Sequence, residues 1–96
     1  MAAPAKQTVL FTVHGPIERA DLPGLCDRVC ALLEQSGAGL AFCNVRDVEP
    51  DAVTVDALAR LQLAARRHGC LVRLSNASRE LRDLVAFMGL TDVLPE

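Results

Sequence analysis

Apolar positions along the chain recur with a period of two in some stretches and of three to four in others, and this alternation of periods predicts an alternation of strands and helices. Gln7 to Val13 is rich in β-branched and aromatic residues and reads as a first strand, ended by the turn His14-Gly15-Pro16. Asp21 can cap a helix begun by Pro23. Its stripe is Leu22, Leu25, Cys26, Val29, Leu32 and Leu33, and Gly37 and Gly39 stop it. Leu40 to Val45 is apolar except at Asn44, the pattern of a strand buried on both faces of a parallel sheet. Val53 to His68 predicts a second helix with Thr54, Leu58, Leu61 and Ala65 on one stripe, Ala57 and Ala64 beside it, and Gly69 after it. Leu71 to Leu74 reads as a short strand. Ser78 then caps a third helix with the stripe Leu81, Leu84, Val85 and Met88, closed by Gly89, and Thr91 to Leu94 reads as a last extended piece.

This order predicts an α/β fold: a small, mostly parallel or mixed β-sheet of about four strands covered by three to four α-helices, with right-handed crossovers. In such folds ligands and partners meet the loops beyond the carboxyl ends of the strands. Those loops are His14 to Glu18, Arg46 to Thr54 and Asn76 to Ser78, which should share one end of the domain. Ninety-six residues suit one domain, with residues 1–6 a flexible tail. A hydrophobic fraction of 51% and a mean hydropathy of +0.26 argue against disorder. No stretch approaches the roughly 20 apolar residues of a membrane span. Lys6 and Gln7 interrupt anything resembling a signal peptide, so a cytoplasmic protein is expected.

Charge and reactive side chains narrow the function further. A net charge of -2 and the absence of Trp and Tyr argue against nucleic acid as a partner. Residues 44 to 56 hold Asp47, Glu49, Asp51 and Asp56 against Arg46 alone, whereas residues 60 to 82 are rich in Arg. That asymmetry suits docking of a protein. Cys26, Cys30, Cys43 and Cys70 lack paired ligand spacing, and His14 and His68 stand apart from them, so no metal or other cofactor is expected. Four unbridged thiols, behaving as small hydrophobes, are the expected state. No nucleophile with an orienting base emerges, and the chain does not read as an enzyme.

Four segments carry a resemblance when taken in order: Val13-His14-Gly15-Pro16-Ile17, Leu40-Ala41-Phe42-Cys43-Asn44-Val45, Arg66 to Leu74, and Asn76-Ala77-Ser78 followed by Leu84, Gly89-Leu90 and Val93. Together they resemble one family, the STAS domain of sulphate transporters and anti-sigma factor antagonists. The first is similar to the family's first-strand exit, and the second to its central strand, with Asn44 where an Asp normally stands. The third resembles its helix end, glycine and third strand, and the fourth its final helix and exit.

The resemblance implies a non-enzymatic regulatory module that binds an anti-sigma factor and serine kinase of histidine-kinase-like ATPase type. The alternative it implies is a subunit or adaptor docking on a lipid-transport ABC transporter ATPase, and a homodimer stays open. The family's Asp-Ser-Ser/Thr-Gly motif, phosphorylated on its second hydroxyl, is degenerate here. Counting back from Gly69 puts Asp51 on the Asp and Val53 on the acceptor, which removes the phosphorylation switch. Counting forward from the central strand puts Thr54 on the acceptor and keeps it. Either way the implied partner surface takes in Asp47, Glu49, Asp51, Ala52 and Val53. It continues through Thr54, Ala57, Asn76 and Ser78.

Overall fold

A computed structural model describes residues 8–96. The expected tail at 1–6 and the start of the first strand at Gln7 lie outside them. Three strands, β1 (Thr8–Thr12), β2 (Leu40–Asn44) and β3 (Leu71–Ser75), alternate with three helices, α1 (Leu22–Ser36), α2 (Ala52–Arg67) and α3 (Arg79–Phe87). The sheet is wholly parallel in the order β1-β2-β3, with Leu10 opposite Phe42 and Phe42 opposite Arg73. One turn of 3-10 helix, Arg19–Asp21, leads into α1.

Each helix boundary has a local cause. Asp51 caps α2 by accepting a hydrogen bond from the Thr54 amide at 2.8 Å, and Ser78 caps α3 from the Leu81 amide at 3.1 Å. Asp21 precedes α1 but caps nothing there. Its carboxylate turns back to accept from the Glu18 amide at 3.1 Å, which tightens the 3-10 turn instead. Gly37, Gly69 and Gly89 all take left-handed backbone (φ 63°, 71° and 73°) just beyond the helices, a conformation that costs glycine little.

The expectation that β2 is buried on both faces is corrected. Right-handed crossovers between strands in sequence order place successive helices on the same side, and α1 packs on α2 and α2 on α3. Ala41, Cys43, Val72 and Leu74 are therefore buried in the core, with Val9 and Phe11 packed against it. The alternate residues Leu40, Phe42 and Leu71 are only half-buried, and Leu10 is 69% exposed. Among the described residues the sheet also has three strands rather than about four. Thr91 to Leu94 is not extended, because the amides of Val93 and Leu94 both donate to the Leu90 carbonyl, at 3.0 and 2.9 Å, and wind the chain into a turn.

The outer edge of β3 is closed by other means. Gln62 of α2 is fully buried on the helix stripe that carries Leu58 and Leu61. Its carboxamide oxygen accepts from the Val72 amide at 2.8 Å, and its nitrogen donates to the carbonyls of Val72 at 2.7 Å and Val93 at 2.9 Å. One side chain thus supplies the donor and acceptor a neighbouring strand would have offered. Next along, the Leu74 amide donates to the Pro95 carbonyl at 2.8 Å, so the segment at 93–95 supplies a further partner to that edge. Replacing Gln62 by leucine keeps the volume but strands Val72's two backbone groups, each costing about 1–3 kcal/mol when buried. Urea denaturation of Gln62→Leu should show a loss of about 2–6 kcal/mol, summed over those groups.

Candidate functional site

Because all three strands run the same way, the loops that follow them gather at one end of the sheet. Hydrogen bonds and a close backbone approach join these loops. The Gly15 amide donates to the Asp47 carbonyl at 3.2 Å, which ties the first loop to the second. The approach is so close that a Cβ on Gly15 would lie 2.9 Å from the Glu49 nitrogen and 3.1 Å from the Val48 Cα. His14 Nδ1 stands 3.8 Å from Asp47 Oδ2, a loose pairing of exposed side chains. The second loop meets the third through Asn44, whose side-chain oxygen accepts from the Arg46 amide and from Asn76 Nδ2, both at 3.1 Å. Asn76 reaches it from left-handed backbone (φ 57°), which asparagine tolerates better than most residues.

The start of α2 carries the candidate surface. Asp47, Glu49, Asp51 and Ala52 are exposed and Val53 is half-buried, so they form one outward-facing acidic segment that ends on an apolar step. Asn76 and Ser78 are exposed on the neighbouring loop, where Ser78 also serves as the α3 cap. Ala57 is corrected: it is fully buried and cannot touch a partner. Thr54 is likewise fully buried, and its hydroxyl has no hydrogen-bond partner among the described residues. The helix register therefore aims Thr54 into the core and leaves Ala52 and Val53 toward solvent. Farther along α2, Asp56 and Arg60 pair at 2.9 Å as i, i+4 neighbours, and His68 Nδ1 lies 3.7 Å from Glu34 Oε1 on α1. Sequence reasoning missed the two loop ties, Gly15 to Asp47 and Asn44 to Asn76. The one signal for them was the presence of Gly and Asn at strand exits.

Among the described residues no group of three or more His, Cys, Asp or Glu side chains converges to hold a metal. Cys43 and Cys70 are buried, whereas Cys26 and Cys30 are half-buried on α1. Burial pushes the Cys43 thiol up to about 12, which leaves it protonated and inert as a nucleophile. Burial, followed by the neighbouring Cys30, also raises Cys26.

No protein-family model matches the sequence, and no curated protein does. The structure does match a solved one, that of the anti-sigma factor antagonist SpoIIAA in its unphosphorylated form, with a TM-score of 0.64 at 16% identity. The match covers 97% of this chain and 82% of that one. The chain has a STAS-like fold. In that fold the loop ties above hold the exposed start of α2 at the carboxyl end of the sheet. Among the described residues no helix is long and apolar enough to cross a membrane.

Two measurements test this placement. Thr54→Val removes a buried hydroxyl that bonds no described residue and should leave stability unchanged or raise it by up to about 1 kcal/mol. Thr54→Glu should instead cost several kcal/mol, on the order of 3–5, by burying an unpaired charge. Thiol labelling of the native protein at pH 8 should modify at most Cys26 and Cys30, and Cys43 only after denaturation.

Proposed function

We propose that the chain is a regulatory binding module of the anti-sigma factor antagonist kind, engaging an anti-sigma factor of histidine-kinase-like ATPase type through the start of α2 in a cytoplasmic setting. The observation that carries this reading is the STAS-like fold combined with an α2 start whose first two residues, Ala52 and Val53, face outward beside Asp47, Glu49 and Asp51. An apolar step rimmed by carboxylates suits a partner with a small apolar recess and a basic border. The module acts by occupying that partner and performs no chemistry of its own.

The same reading makes the module a constitutive binder. Two observations support it: Thr54, the one hydroxyl in the first turn of α2, is fully buried, and Val53, which is partly accessible, carries no phosphorylatable group. A phosphate on Thr54 would need the first turn of α2 to unwind before a kinase could reach it.

Titration calorimetry against a purified ATPase of this type tests the proposal. The wild-type protein should bind, and Val53→Asp should weaken binding by about tenfold or more with an unchanged melting temperature. After incubation with that ATPase and ATP, mass spectrometry should find no phosphate on Thr54. Binding to a transporter ATPase alone would replace this reading with the adaptor role.

A further inference from the structure

The two edges of the sheet are treated differently. Gln62 and Pro95 cover β3 at Val72 and Leu74, whereas no described residue pairs with the outer edge of β1. The Val13 amide donates to the Asn44 carbonyl, so residues 9, 11 and 13 turn their backbone groups toward β2. Thr8, Leu10 and Thr12 therefore turn theirs outward. Thr8–Thr12 contains none of the features that normally blunt an edge: it has no charge and no proline. Leu10, at its centre, is 69% exposed.

A groove of about 550 Å³ runs beside this edge between β1 and α1. Phe11, Leu25, Val29 and Leu32 give it an apolar wall, and Asp21 and Arg28 put one full charge of each sign on that wall. A strongly acidic or basic segment would meet repulsion there as well as attraction. A surface bearing both signs can match a copy of itself rotated by a two-fold axis.

We propose that the β1 edge is a self-association surface at which two copies join their sheets through antiparallel β1–β1 pairing centred on Leu10. In that register Leu10 faces Leu10 of the second copy, Val9 faces its Phe11, and Thr8 faces its Thr12. Each is a favourable cross-strand pair: an aliphatic pair, a β-branched residue against an aromatic ring, and two threonines. The outward amides and carbonyls of Thr8, Leu10 and Thr12 gain partners, and Leu10 leaves solvent. The pairing uses β1 and α1 and leaves the exposed start of α2 free, so it is independent of the proposed partner.

Sedimentation from about 1 µM to about 1 mM should show a monomer–dimer equilibrium for the wild-type protein. Leu10→Lys should weaken it by about tenfold or more without lowering the melting temperature, since the side chain is exposed in the protomer. A second pair of variants reads the register directly, in a background carrying Cys26→Ser and Cys30→Ser. Paired residues of this hydrogen-bonded type lie about 5.5 Å apart at Cα, within reach of a disulfide. Mild oxidation should therefore link Leu10→Cys into a dimer and leave Thr12→Cys unlinked. Three outcomes would overturn the proposal: a wild-type monomer throughout that range, a dimer indifferent to Leu10→Lys, or linkage through position 12 as efficient as through position 10.

Discussion

The handedness of the crossovers governs this molecule. Three parallel strands joined in sequence order by right-handed connections can place their helices on one side only. From that follow a core confined to one face of the sheet, strands whose alternate residues differ in burial, and loops that emerge together at the carboxyl end. β2 shows the effect residue by residue: Ala41 and Cys43 are fully buried, while Leu40, Phe42 and Asn44 are half-covered. The central strand is thus apolar toward both sides although only one side carries helices.

That asymmetry explains which features the sequence disclosed. Element order, the side-chain cap at Ser78 and the glycine stops follow from periodicity and local chemistry, which do not depend on distant contacts, whereas the cap expected of Asp21 is spent on the turn before α1. The coverage of β2 was not legible, because an unbroken apolar run looks the same whether its second face is packed or half-open. The last segment misled for a related reason. Thr91 to Leu94 carries two β-branched residues and an adjacent leucine, but Leu90 offers its carbonyl to two successive amides and the chain turns. Gln62 escaped notice because a polar side chain on an apolar stripe has no meaning until the strand edge it serves is in view.

The candidate site was legible in outline and illegible in detail. Topology alone brings the three loops together, and the acidic bias of residues 47–51 is plain in the sequence. The split between outward and inward residues at the start of α2 depends on where the helix begins. Asp51 caps one residue before Ala52, and from that phase Val53 falls near the surface while Thr54 and Ala57 fall in the core. A shift of one residue, about 100° around a helix, would exchange their roles. The backbone contacts of Gly15 with Asp47 and Glu49 make the shape of this surface depend on a residue more than thirty positions away from it.

The sealed edge of β3 has a consequence for assembly rather than for stability. Among the described residues the sheet has one uncovered edge, and the pairing proposed there would add one neighbour and then stop, because the outer edges of the pair are both β3. The seal consists of one glutamine and the carbonyls of Val93 and Pro95 near the end of the chain. If residues 93–95 came away from β3, it would lose much of its cover and each molecule would present two edges, one at either side. Growth would then have no natural end. Residues 93–95, beside the β3 exit that leads to Asn76, thus separate a closed particle from an open-ended one.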